Sequence, residues 1–211
     1  GVLQAANSNA FGASTNTVSE IWGTAIEVSG NITLANPMQI GLSSYDSKGW
    51  MNQVTGSLRN VSGNNTLTGA ITSSGYNRIN SDAGTLTLTN DAIGADQTFG
   101  GLAPTIGTAA GNVVVTNLGS GSGYNLSHDG TGTLTMSGAN TYNGTTTINA
   151  GTLTISGSST SSAITIASGG TLNATGTAGA TTVNSGGTLI GTGTVGAITL
   201  NAGGLLGAGT G

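Results

Sequence analysis

Apolar and polar positions alternate through much of the chain, most cleanly in its last third. In Ala163-Ile164-Thr165-Ile166 the two isoleucines fall on one face and Thr165 on the other. In Thr171-Leu172-Asn173 only the leucine is apolar. Alternation with a period of two marks half-buried β-strands. The strands are punctuated by Ser-Gly-Gly or Asn-Ala-Gly, where glycine can take the positive φ that a tight turn needs. The unit then repeats. Thr147-Ile148-Asn149-Ala150-Gly151-Thr152-Leu153 returns as Thr165 to Leu172, as Thr182 to Leu189 and as Thr199 to Leu206. The glycine before the last pair stands at 151, 170, 187 and 204, so the interval is 19, 17 and 17 residues. A short fixed period of strands and glycine turns predicts a solenoid.

The expected fold is therefore all-β: a parallel β-helix, or β-solenoid, with about 17–19 residues per coil in the C-terminal part. Stacking about 4.8 Å apart would place Ile148, Ile166, Val183 and Leu200 in one interior column. Leu153, Leu172, Leu189 and Leu206 would form a second, and Thr146, Ile164, Thr181 and Ile198 a half-polar third. Asn149, Asn184 and Asn201 share one turn position, interrupted by Ala167, which predicts an amide ladder along the outside. Wound throughout, the chain would make about eleven coils and a rod on the order of 50 Å.

Composition divides this single domain. Residues 1–129 form an irregular, loop-decorated part holding every charge and the one histidine, whereas 130–211 form regular uncharged coils. Only 5% of residues are charged, with three cations against seven acids and 39 glycines. Three cations cannot track a phosphate backbone, so nucleic acid is excluded as a partner. No apolar run reaches the length of a membrane-spanning helix. The absence of cysteine rules out disulfides and thiolate metal sites. Disorder is disfavoured by the abundance of Thr, Ile and Val.

The phrases carry a family resemblance. Thr131 to Thr154, TGTLTMSGANTYNGTTTINAGTLT, resembles the autotransporter-associated β-strand repeat, also called the passenger-associated transport repeat. Gly56 to Leu88, Gly30 to Leu42 and the opening GVLQAANSNAFGAST resemble adjoining parts of the same repeat. The resemblance implies a secreted or cell-surface bacterial passenger built as a right-handed parallel β-helix. Many such proteins end in an outer-membrane barrel, and no barrel-type strands with aromatic girdles occur here. The chain begins in mid-repeat at Gly1-Val2-Leu3, without Met or signal segment, and its last coil lacks a polar cap. Two readings follow: a piece of a longer solenoid, or a subunit whose two ends bind each other head to tail.

Candidate chemistry is sparse. His128-Asp129 sits in a glycine-rich stretch, where His128 is expected to be a solvated turn residue. No second His or Cys completes a metal site, and no cofactor is called for. Gly119-Ser120-Gly121-Ser122-Gly123 formally fits a nucleophile elbow but lacks the strand-turn-helix setting. Asp91 and Asp96 are read as solvated loop acids, with a calcium loop as the alternative. Tyr45, Lys48 and Trp50 cluster in a segment that breaks the alternation. Together with Trp22 and Tyr76 they are candidate interface or ligand contacts; Phe11 and Arg78 share the two readings, packing or contact. Asn31, Asn60, Asn64, Asn125, Asn143 and Asn173 fit the Asn-x-Ser/Thr pattern, which chance supplies in so Asn- and Thr-rich a chain.

The expected role is an extracellular structural, non-enzymatic solenoid that associates with itself end to end or laterally. One alternative is an adhesin passenger binding a host or matrix glycan. The other is a polysaccharide-cleaving β-helix enzyme using paired carboxylates.

Overall fold

Parallel pairing of successive coils organises the whole molecule. The computed structural model describes residues 1–19, 24–40, 56–73, 77–93, 97–99, 111–119, 123 and 125–209. These are strands and turns, and no helix is long and apolar enough to cross a membrane. One regular coil runs through Ile164–Ile166, turns at Gly169-Gly170, continues through Gly170–Ala174, bends at Gly176 into Thr177–Ala178, and reaches Thr181–Val183 one level up. The first of these strands belongs to a ten-stranded parallel sheet and the second to a nine-stranded one. The third wall is four-stranded beside the early coils and three-stranded beside the late ones.

Register reveals the coil length. Thr146 pairs with Ile164, Ile164 with Thr181 and Thr181 with Ile198, steps of 18, 17 and 17 residues. Earlier steps are longer: Val2 to Ala25 is 23, Ile26 to Leu58 is 32, and Gln97 to Leu126 is 29. These long coils consume chain, so the main sheet has ten strands and not the eleven coils expected. Nine spacings of about 4.8 Å give a stack of about 43 Å.

The predicted columns exist. Backbone register aligns the first as Leu3, Ile26, Leu58, Ile79, Phe99, His128, Ile148, Ile166, Val183 and Leu200. The second aligns Leu86, Val113, Leu134, Leu153, Leu172, Leu189 and Leu206. Ile148, Leu153, Ile166 and Leu172 are wholly buried. Leu200 and Leu206 hold the last described places in these columns and are 49% and 53% exposed.

Glycine enters the corners for two different reasons. Gly151, Gly169, Gly186 and Gly203 have φ between +62° and +86°, the left-handed region that a Cβ disfavours. At the next corner Gly138, Gly157, Gly176 and Gly193 stack on one another. A Cβ on Gly176 would lie 2.0 Å from the carbonyl oxygen of Gly157, and one on Gly157 2.1 Å from that of Gly138. No real atom tolerates such an approach, so this column admits hydrogen alone.

The two causes are separable. Gly169→Ala meets nothing nearer than 4.0 Å and strains only φ. It is expected to cost about 1–2 kcal/mol. Gly176→Ala is expected to cost about 3 kcal/mol, because coils must move apart. Urea midpoints for the two variants check this, and equal costs would refute the stacking argument.

Candidate interaction surfaces

The charged side chains of the decorated half assemble across coils. Glu27 and Arg59 are register partners on neighbouring strands of the main sheet, and Arg59 stands opposite Asn80 on the next. The Arg59 Nη1 donates to Glu27 Oε1 at 2.8 Å, and its Nε donates to Asp82 Oδ2 at 2.7 Å. Its Nη2 completes the ion pair with Asp82. One guanidinium therefore ties three successive coils. Partial burial pulls its pKa down, but the hydrogen bonds it donates to Asp82 and Glu27, with their charges, outweigh that and hold it above the ordinary arginine value. Asp82 also accepts from Asn80 Nδ2 at 2.7 Å.

Arg78 forms the second link. Its Nη2 donates to Asp129 Oδ1 at 2.5 Å, bridging 51 residues of sequence. Arg78, expected as packing or contact, is thus a buried structural ion-pair partner. Both described arginines are neutralised by carboxylates of other coils.

His128 departs from expectation. It is not a solvated turn residue but lies on the strand Leu126–His128, 3% exposed, in the column between Phe99 and Ile148. Its Nε2 lies 3.3 Å from the carbonyl oxygen of Gly132. The physical reason is strand parity: Leu126 and His128 point inward and Ser127 outward. Asp129, next in the chain, reaches the other way, to Arg78. A histidine placed so is closed to substrate and is separated from its neighbouring acid.

Of the other candidates, Trp22, Tyr45, Lys48, Trp50, Tyr76, Asp96 and Ser120 lie outside the described residues. Asp91 starts the strand Asp91–Ile93, paired with Ile71–Ser73. No group of three or more metal-ligating side chains occurs among the described residues. The asparagine ladder forms in part. Asn201 Nδ2 donates to Asn184 Oδ1 at 2.8 Å. Asn149 turns instead to Ser127 Oγ at 3.0 Å, since Ala167 offers no amide on the coil between.

Sequence reading missed a hydroxyl column beside the glycine stack. Thr116 Oγ1 donates to Leu88 O at 3.1 Å, Ser137 Oγ to Val115 O at 3.3 Å, and Thr175 Oγ1 to Ile155 O at 3.4 Å. The Ser-Gly or Thr-Gly pairs at 137–138, 156–157, 175–176 and 192–193 were the available signal. Also missed was a groove of about 500 Å³ where residues 7–16 fold against the solenoid side, lined by Ser8, Asn9, Gly12, Ala13, Thr33 and Asn36. The buried Asn36 pins that loop, donating to Ala13 O at 2.8 Å and Asn16 O at 3.1 Å. The lining holds hydroxyls and amides but no charge.

On the first and last described strands apolar side chains are exposed. Val2 and Leu3 stand on the first strand, and Ile198, Leu200, Leu205 and Leu206 on the last two. These strands edge the same two sheets.

Comparison with known families agrees with this architecture. The model described as Passenger-associated-transport-repeat matches residues 128–155 and 150–174. Those residues run from the strand containing His128 to Gly170–Ala174, more than two stacked levels of the solenoid. The segment 128–174 thus carries the passenger-associated transport repeat, and the fold fits an autotransporter passenger-like structural domain. No curated protein and no solved structure matches the chain.

The three-coil ion pair makes a direct prediction. Arg59→Met leaves Glu27 and Asp82 facing each other without a cation. It is expected to lower stability by about 1–2 kcal/mol. The gap to the parent should narrow in about 1 M salt, where exposed charges are screened. Urea denaturation at low and high salt measures both. A variant as stable as the parent at low salt would show that Arg59 contributes little.

Proposed function

We propose that this chain is an exported structural rod of the passenger type, displayed at or released from a bacterial surface, which lengthens by stacking end to end on a second copy. The reading is non-enzymatic, supported by the burial of His128. The observation that carries it is the main interior column. It begins at Leu3, 46% exposed, and finishes at Leu200, 49% exposed, with eight members between them in register. An uncovered last coil presents apolar side chains together with a row of unpaired backbone groups, which a further parallel strand satisfies. Seating the strand Val2–Ala5 of one copy on Ile198–Leu200 of another continues both the ladder and the column. Such a contact is heterologous and open, so it propagates into a filament. The scarcity of charge removes repulsion between copies.

A second reading, an adhesin passenger, draws on the uncharged groove beside residues 7–16, whose hydroxyls and amides suit a neutral saccharide. Binding of neutral glycans to the single rod, abolished by filling the groove with Ser14→Trp, would favour it.

Electron microscopy and sedimentation of the isolated chain test the rod. Filaments with an axial repeat of about one 43 Å stack are expected. Leu200→Asp with Leu206→Lys should leave the fold intact and yield single rods. Monodisperse rods from the parent at high concentration would sink end-to-end assembly.

A further inference from the structure

We propose that Asn143 is a site of spontaneous covalent modification, where the folded chain turns a side-chain amide into a carboxylate and gives the plain coils their first charge. Asn143-Gly144 is the one Asn-Gly pair in the sequence, and residues 130–211 carry no charged side chain. The pair lies in the irregular segment between the buried Tyr142 and the strand Thr146–Ile148.

The conversion needs an accessible amide, a nucleophile beside it and support for the oxygen that becomes negative. Asn143 is exposed. Its Oδ1 accepts from the backbone N–H of Gly123 at 2.6 Å, a donor aimed at the atom where charge builds as the amide carbon becomes tetrahedral. The nucleophile is the backbone nitrogen of Gly144. It lies outside the strands and donates to no acceptor among the described residues, so no neighbouring coil holds it in place. Glycine adds no side chain to crowd the approach. Other exposed asparagines lack this combination. Asn31 precedes Ile32, whose N–H is given to Asn65 Oδ1, and Asn125 precedes Leu126, whose N–H is given to Thr145 O. Asn64 precedes a residue inside a paired strand, and Asn149 and Asn201 precede alanines.

Hydroxide removes the Gly144 amide proton, and the nitrogen forms a bond to Asn143 Cγ. The Cγ–Nδ2 bond breaks, and Nδ2 leaves as ammonia after taking a proton from water, which regenerates hydroxide. Water then opens the cyclic imide at either of its two carbonyl carbons. One opening gives aspartate; the other gives isoaspartate, whose main chain runs through Cβ and Cγ. The sum is amide plus water giving carboxylic acid plus ammonia, with no change of oxidation state. Aspartate keeps an acceptor for Gly123. Isoaspartate lengthens the main chain just before Thr145, whose N–H donates to Asn125 Oδ1 at 2.8 Å, and before Thr146, whose hydroxyl meets that of Tyr142 at 2.5 Å. That product therefore loosens the join between this segment and the coil beside it. None of this chemistry depends on whether copies of the chain stack.

Incubation of the whole native chain near neutral pH in heavy-oxygen water, followed by peptide mass spectrometry, tests the proposal. The peptide holding Asn143 is expected to gain a carboxylate labelled with heavy oxygen before any other asparagine does, at a rate that rises with hydroxide. Gly144→Ala should slow the conversion at least about tenfold, equivalent to about 1.4 kcal/mol in the barrier. Asn143→Gln keeps an amide but must close a larger ring, and should slow it further. The measurement on the parent needs no variant that folds. A chain unfolded in guanidinium supplies the reference. A native chain that keeps Asn143 intact while the unfolded chain converts it would overturn the proposal, because the fold would then protect the pair. So would conversion spread evenly over the asparagines, or a Gly144→Ala chain that converts as fast as the parent.

Discussion

Everything in this molecule depends on one constraint: each coil must lie within hydrogen-bonding distance of the coil beneath it along several strands at once. Parallel neighbours sit about 4.8 Å apart, and an irregular corner would break the ladder on both of its walls. The glycine stack Gly138, Gly157, Gly176 and Gly193 meets that constraint, because at about 2 Å from a carbonyl oxygen no side chain fits. The threonine and serine hydroxyls beside it donate to carbonyls of the coil below that also accept from the same residues' backbone N–H, so the corner is held twice. Core and corner are therefore two sides of one requirement. Columns of Leu, Ile and Val form because the corners keep register, and register persists because the columns are apolar inside and polar outside.

Decoration is tolerated only where it leaves the stack alone. The long early coils insert chain between strands, yet their strands still pair in register with the next level. Charge is confined to these coils and is used across them. Arg59 ties three levels and Arg78 reaches Asp129 past an intervening strand. Several polar groups inside the early core are likewise engaged across coils. Asn60 Nδ2 bonds to Ser81 Oγ at 3.0 Å and to Ala83 O at 3.0 Å, while Asn65 Oδ1 accepts from Ile32 N at 2.8 Å. Such a network resists rearrangement only while every member is satisfied. The plain coils have no charges to pair, and their buried polar side chains form a shorter series from Tyr142 through Thr146 to Ser162.

Local alternation and a fixed interval were enough to place Ile148, Leu153, Ile166, Leu172 and Val183 in columns, because a strand's side-chain parity is a property of the chain itself. The asparagine ladder was legible for the same reason, down to its interruption at Ala167. What could not be read was anything whose partner lies a variable number of residues away. Glu27 and Asp82 stand 32 and 23 residues from Arg59, intervals set by insertions with no period. The loop groove depends on how residues 7–16 fold back on Asn36.

The sequence by itself determined the coil, its period and its inward face, since these follow from alternation and from where glycine allows the chain to turn. Only the tertiary structure decided that His128 is a core residue and not a turn, and which charges meet. Those outcomes depend on which level of the stack lies above and below a residue, and that is set by the summed lengths of all the coils between.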